Sequence, residues 1–220
     1  MNGTPASDPA TRLHDYFRSS AAYRVRIALN LKGVPYERVF VDLRTGAQTD
    51  ADYKTLNPQA MVPLLEMDGL RLTQSLAIID YLEARFPEPP LTSPDPAVRS
   101  RQLAMALLIA CDIHPLNNLR VLKYLKRELR IDEPEREAWY RHWVEEGFVA
   151  LERMAAGQAG TFLCGDRPGI ADICLVPQMY NARRMQVALD DFATLRRIDT
   201  TLAKLPAFVE AHPDKVAPTA

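Results

Sequence analysis

The chain has 220 residues, 47% of them hydrophobic and 25% charged, with a net charge of -1 at pH 7. This is enough apolar side chain for one large or two small folded domains, and it excludes a disordered chain, which would be poorer in apolar residues and farther from neutrality. Basic and acidic residues balance both before and after position 90, so neither half carries the positive field that attracts nucleic acid or an anionic membrane surface.

Residues 1–10 are polar and read as a disordered tail; they lack the apolar run of a signal peptide, and no stretch reaches the roughly 18 apolar residues of a membrane span. LHDYF (13–17) is a short strand. Ser19 and Ser20 then precede a helical face of Val25, Ala28, Leu29 and Leu31, with serine as a favoured N-cap and Gly33 and Pro35 as the stop. YERVFVDL (36–43), β-branched and aromatic, reads as a strand, and strand–helix–strand makes a parallel crossover unit. Weak helix signals run to residue 56. MVPLLEM (61–67) and LRLTQ (70–74) flank Asp68-Gly69, a dipeptide suited to the positive φ angles of a tight hairpin. SLAIIDYLEARF (75–86) carries Leu76, Ile79, Leu82 and Phe86 on one stripe before Pro87.

Residues 11–87 thus form an α/β domain, β-α-β-(α)-β-β-α. The segment PEPPLTSPDP (87–96) is half proline, and residues 88–96 read as a linker. Beyond it, residues 97–220 form an all-helical domain, with helices near 97–130, 134–156, 170–188 and 199–211. Cys111, Cys164 and Cys174 are an odd set that matches no disulfide or zinc framework, so they read as inert core thiols in a reducing cytoplasm. Cys111 and His114 lack a second pair with ligand spacing, and no metal is expected. The basic run Arg120 to Arg130 reads as a solvated helix face, balanced by Asp132, Glu133, Glu135 and Glu137, with a modest positive field to gather an anion.

Local motifs sharpen this outline. Ser19-Ser20-Ala21-Ala22-Tyr23-Arg24-Val25-Arg26-Ile27-Ala28-Leu29 resembles the zeta-class glutathione transferase signature, and similarity continues in Leu56-Asn57-Pro58, Val62-Pro63, Gln74 to Ile79, Asp112 to Leu119 and Ala171 to Gln178. The resemblance spans about residues 11–212 and implies a thioredoxin-like N-terminal domain, an all-helical C-terminal domain, glutathione as cofactor and a homodimer. The family includes maleylacetoacetate and maleylpyruvate isomerases, so the implied reaction is cis-trans isomerisation of a dicarboxylate by reversible thiolate addition to its double bond. A general glutathione transferase and a non-catalytic glutathione-binding scaffold are the other readings of the same fold. Two departures stand out: Ala21 occupies the motif cysteine's place, with Tyr23 at the usual tryptophan, and Gly169-Ile170-Ala171-Asp172 replaces a Ser/Thr capping box, at an expected cost of a few tenths of a kcal/mol.

Residue roles follow from the resemblance. A free thiol titrates near 8.5, so the thiolate must be stabilised. Ser19 and Ser20 stand at a strand-to-helix junction where a hydroxyl, helix-opening N–H groups and the helix dipole converge, although both also suit plain N-capping. By position in the motif, Ala21, Ala22, Tyr23 and Arg24 join that cofactor-binding segment. Val62-Pro63 alone reads as an edge-strand proline; the family's bond there is cis, and Val62 pairs its backbone with the cysteinyl part of glutathione. Gln74 and Ser75 open a helix suited to the γ-glutamyl carboxylate, or cap it, and Gln48 matches a contact to the glycyl end. Arg18 and Arg184 match arginines that hold the substrate carboxylates, for which a guanidinium fork is fitted. His114, Asn118, Leu119 and Arg120 match a helical-domain segment that faces glutathione.

Overall fold

The computed structural model describes residues 11–218, so the expected tail at 1–10 lies outside the described residues. The chain divides into two compact units, one running through Pro89 and completed by the segment from Val209 onward, the other spanning Pro90–Phe208. The sequence reading gave residues 97–220 wholly to the helical domain; the last segment packs with the first unit instead.

The first unit is built on β1 (Arg12–Asp15), α1 (Ser20–Leu31), β2 (Glu37–Phe40), α2 (Ala51–Leu56), β3 (Leu64–Met67), β4 (Leu70–Thr73) and α3 (Ser75–Arg85). The sheet order is β2-β1-β3-β4, with β1 parallel to β2 and antiparallel to β3. This is the expected thioredoxin-like sheet. Asp68 and Gly69 both adopt positive φ (52° and 74°), which lets β3 turn directly into β4. The strands are shorter than the apolar runs suggest: Tyr16 leaves β1 for a turn closed by the Ser19 N–H on its carbonyl (2.8 Å), and Pro63, which has no N–H to donate, precedes β3. The core is Leu13, Val25, Ile27, Leu29, Leu64, Leu65, Ile78, Ile79 and Leu82, all essentially inaccessible.

The second unit contains α4 (Pro96–Leu107), α5 (Leu119–Arg127), α6 (Glu133–Ala156), α7 (Ile170–Arg184) and α8 (Ala193–Leu202), followed at its edge by α9 (Pro206–Ala211), which passes into the first unit, where α10 (Pro213–Val216) ends the described chain. Three expected helices change. The segment 97–130 breaks into α4, a π-helical turn at Leu108–Ile113, a short 3-10 turn and α5, because Pro115 supplies no N–H and cannot continue a helix. The segment 170–188 stops at Arg184, and Gln186 then takes a positive φ of 56°. The segment 199–211 is the end of α8 plus α9, interrupted before Pro206. On α6, Gly147 allows close approach of the π-helical turn: a Cβ there would lie 2.3 Å from the Ile113 side chain.

Candidate active site

In the first unit, Ser19 is the N-cap of α1, and its Oγ accepts the Ala22 N–H at 3.2 Å. A hydroxyl has one donor and two acceptor positions, so capping leaves its O–H free to donate to an anion at the same helix end. Ala21 is the second helical residue, so its N–H lies beyond the reach of intrahelical acceptors. The capping reading of Ser19 is met, and the cap orients the hydroxyl.

The residues leading into Arg18 and Ser19 belong to an apolar cluster of Tyr16, Val41, Tyr53 and Val62, with Phe17, Leu43 and Ala47 packed against it. Tyr16 and Phe17 just before Arg18-Ser19, Ala47 just before Gln48, and Val62 thus belong to one cluster. The Val62-Pro63 bond is cis. Met61, just before it, is pinned by two donors on its carbonyl, the Tyr53 hydroxyl at 2.8 Å and Asn57 Nδ2 at 2.7 Å. Burial pushes the Tyr53 phenol up to about 12, opposed by its hydrogen bond with Asn57, so it stays a neutral donor. Gln48 has a buried Oε1 with no partner among the described residues.

Gln74 takes a positive φ of 67° ahead of α3, and its Nε2 donates to Gln59 Oε1 at 2.7 Å. Buried Ser75 accepts from Arg24 Nη1 at 3.3 Å, which ties α1 to the start of α3 and sets a positive charge beneath that helix end. The expectation of a cofactor-facing run through residue 24 is corrected here: the side chains of Ala22, Tyr23 and Arg24 are packed inside, at 0%, 2% and 2% exposure. The helix packs against α3 and buries most of its side chains, whereas Ser19 and Ala21 at its opening turn keep partial exposure. Arg18 is exposed, with its guanidinium 5.0 Å from the Phe17 ring centroid.

Arg26 belongs to the signature, but nothing in the sequence assigns it a role. It is inaccessible and donates to Asp15 Oδ1 (2.6 Å), to the Phe17 carbonyl (3.1 Å) and to the Ala211 carbonyl (2.9 Å), while Arg38 holds Asp15 Oδ2 at 2.9 Å. Burial lowers the Arg26 pKa, and Asp15 opposes that shift. The network fixes the carbonyl immediately before Arg18-Ser19. Only an Asp at the strand end and an Arg nearly two turns into the helix hinted at it.

In the second unit, His114 is half-buried behind the π-helical turn and bonds its N–H to the Ile109 carbonyl (3.0 Å). Asn118 caps α5, accepting the Arg120 N–H at 3.1 Å, and Leu119 and Arg120 are exposed on its first turn. Leu119 also edges a shallow cleft with Lys123, Lys126, Arg127 and Arg136, the cationic face foreseen for this stretch. Arg184 is the exposed last residue of α7, whereas its neighbour Arg183 is ion-paired with buried Asp199. Of the cysteines, Cys174 is buried and half-buried Cys164 has its thiol pushed up to about 11 by burial, as inert core groups should, but Cys111 is exposed on the π-helical turn, against expectation. Among the described residues no group of His, Cys, Asp and Glu could hold a metal ion, and no helix is long and apolar enough to cross a membrane.

Comparison with known proteins accords with this geometry. Residues 18–85 match the glutathione S-transferase N-terminal domain and residues 133–213 the glutathione S-transferase C-terminal domain. Maleylacetoacetate isomerase of Pseudomonas aeruginosa is 48% identical over 205 residues, covering 92% of this chain and 95% of the relative. The holo structure of a bacterial zeta-class maleylpyruvate isomerase is 41% identical with a TM-score of 0.93, covering 95% of this chain and all of that one. A maleylacetoacetate isomerase of Methylobacterium extorquens, solved with bound malonate and glutathione, is 38% identical with a TM-score of 0.91, covering 94% of this chain and 100% of that one. With its sequence signature, its sheet and helices and both family domains in agreement, the chain belongs to the glutathione S-transferase family, in the zeta-class branch that contains the maleylacetoacetate and maleylpyruvate isomerases.

Proposed function

We propose that this chain catalyses the glutathione-dependent cis-trans isomerisation of maleylacetoacetate to fumarylacetoacetate. Glutathione supplies, when bound, a thiolate that adds reversibly across the substrate's double bond and so permits rotation about it. The observation that carries the reading is Ser19, whose Oγ is oriented by the Ala22 N–H while its O–H remains available at the positive end of α1. The residues present fit the tripeptide in a second respect: the orphaned Gln48 Oε1 is an acceptor suited to an amide N–H at the glycyl end.

The chain's own groups divide the work as follows. Ser19 donates to the sulfur, with the first-turn amides of Ser20 and Ala21 adding to the stabilisation of negative charge. Val62 offers backbone groups to the cysteinyl part. Gln74 and Ser75 receive the γ-glutamyl carboxylate, with the Arg24 charge beneath them. His114, Asn118, Leu119 and Arg120 contribute further cofactor contacts. Arg18 and Arg184 hold the two carboxylates of the substrate, each able to form a bidentate pair. The relative with malonate and glutathione bound supports a dicarboxylate as ligand of this fold.

Maleylpyruvate is the second reading, favoured by the likeness to the holo maleylpyruvate isomerase, and the two substrates share the maleyl end on which these residues would act. A homodimer in the cytoplasm belongs to the same reading, and three free thiols accord with a reducing compartment. The test is isomerisation of both substrates with and without glutathione, by purified protein and by Ser19→Ala and Arg184→Ala, with the oligomer read from solution mass. Glutathione dependence and roughly hundredfold loss in Ser19→Ala are expected, the scale of losing one donor to a developing anion. Equal rates without glutathione would refute the reading.

A further inference from the structure

Phe17 is held at both its backbone and its ring. Buried Arg26 donates from Nη2 to its carbonyl at 3.1 Å, and its side chain packs against the cluster of Tyr16, Val41, Tyr53 and Val62. The Tyr16 and Phe17 ring centroids are 4.9 Å apart, with an interplanar angle of 56°. The next residue, Arg18, is exposed, and its guanidinium carbon lies over the Phe17 ring, 5.0 Å from the centroid. Other arginines of this unit meet acids instead: Arg12 pairs with Glu37, Arg38 with Asp15, Arg44 with Asp42 and Arg85 with Asp68. Among the described residues no carboxylate is ion-paired with Arg18.

We propose that Phe17 is a positioning residue: its ring face orders the Arg18 guanidinium ahead of substrate binding, still charged and with its N–H donors uncommitted, to receive a substrate carboxylate. The proposal rests on the role given above to Arg18. An exposed arginine is otherwise spread over many rotamers, and ordering it on binding costs affinity; a fixed ring removes part of that cost beforehand. An aromatic face suits the task because it attracts a cation through its quadrupole and takes no hydrogen bond, so the in-plane fork stays open to a bidentate pair. An acid in that place, as Asp42 is for Arg44, would occupy the fork and cancel the charge.

Phe17→Leu removes the ring face and keeps an apolar side chain on the cluster, whereas Phe17→Tyr and Phe17→Trp keep a ring. Steady-state kinetics of the full-length variants should show KM for maleylacetoacetate raised about fivefold in Phe17→Leu, the scale of one exposed cation–π contact, and within about twofold of wild type in Phe17→Tyr. KM for glutathione should stay within about twofold throughout. In the Arg18→Ala background Phe17→Leu should change nothing further, because Phe17 acts through that side chain. An unchanged dicarboxylate KM in Phe17→Leu, while Arg18→Ala raises it, would overturn the positioning role and leave Arg18 in place. No effect in Arg18→Ala itself would instead refute the reading on which the proposal stands. A Phe17→Leu effect that survives the loss of Arg18, that raises both KM values together, or that Phe17→Tyr shares would show a packing role and also overturn it. If Phe17→Leu does not fold, Phe17→Trp decides: its stronger ring should hold the dicarboxylate KM at or below wild type, and a rise would overturn the proposal.

Discussion

Arg26 and Arg24 are two residues apart in one helix and have unrelated duties, because a two-residue step turns roughly 200° around the axis. Arg24 reaches Ser75, while Arg26 meets Asp15 and the Phe17 carbonyl with no exposure to water. Replacing Arg26 by Met should leave Asp15 with Arg38 alone and destabilise the protein by about 3–5 kcal/mol, read from urea unfolding. Arg38→Gln should cost clearly less, since Asp15 keeps its buried partner and Arg38 is itself 28% exposed. An equal loss in the two variants would show that the buried pairing is not the dominant contact. The comparison also marks the limit of reading by eye. Ser19 was legible as the cap of α1 because a serine hydroxyl just before an apolar helical stripe satisfies the helix's first free amides. The Asp15–Arg26 pair was not, because both arginines in Arg-Val-Arg turn inward and the residue types alone do not say which of them meets Asp15.

Helix α7 shows how a departure from a motif can be explained one level up. Gly169 has no side chain, so only half of the capping box exists, with Asp172 accepting the Gly169 N–H at 2.9 Å and also the Leu163 N–H at 3.0 Å. A Cβ at 169 would lie 2.9 Å from the Leu91 carbonyl, the acceptor of the Ile170 N–H, so the missing hydroxyl is the consequence of a tight crossing that sequence alone could not show. Burial pushes Asp172 up to about 6 against the pull of its amide donors. The folded chain therefore binds this proton more tightly than the unfolded one, where the ordinary value is 3.8. From this group alone, stability is greatest below about pH 4 and declines by about 3 kcal/mol as pH rises through 6. Unfolding curves of wild type and Asp172→Asn between pH 4 and 7 should show a difference that grows toward higher pH and then levels; a pH-independent difference would contradict the raised value. Element existence was legible in α1, whose serine cap and apolar stripe agree, and in α3, where the stripe sufficed without a side-chain cap. Breaks such as that around Pro115 were less so, because the apolar pattern runs on through a residue that cannot donate.

On the scale of the whole chain, the main correction concerns where it ends. The segment from Val209 belongs to the first unit, where the Ala211 carbonyl receives Arg26 Nε and the His212 ring meets Tyr23 edge-on, with centroids 6.2 Å apart. Truncation after Phe208 should therefore lower the melting temperature and weaken glutathione binding, although every residue assigned to the site is retained; unchanged affinity in calorimetric titration would dispute that link. Helical periodicity near the C-terminus announced a helix and could not say which neighbour it would join, since an amphipathic face fits either core. During synthesis the segment from Val209 must therefore emerge before the first unit can close. Until those residues leave the exit tunnel, Arg26 lacks one of its acceptors, so a nascent chain that already carries the serine pair is still an unfinished enzyme.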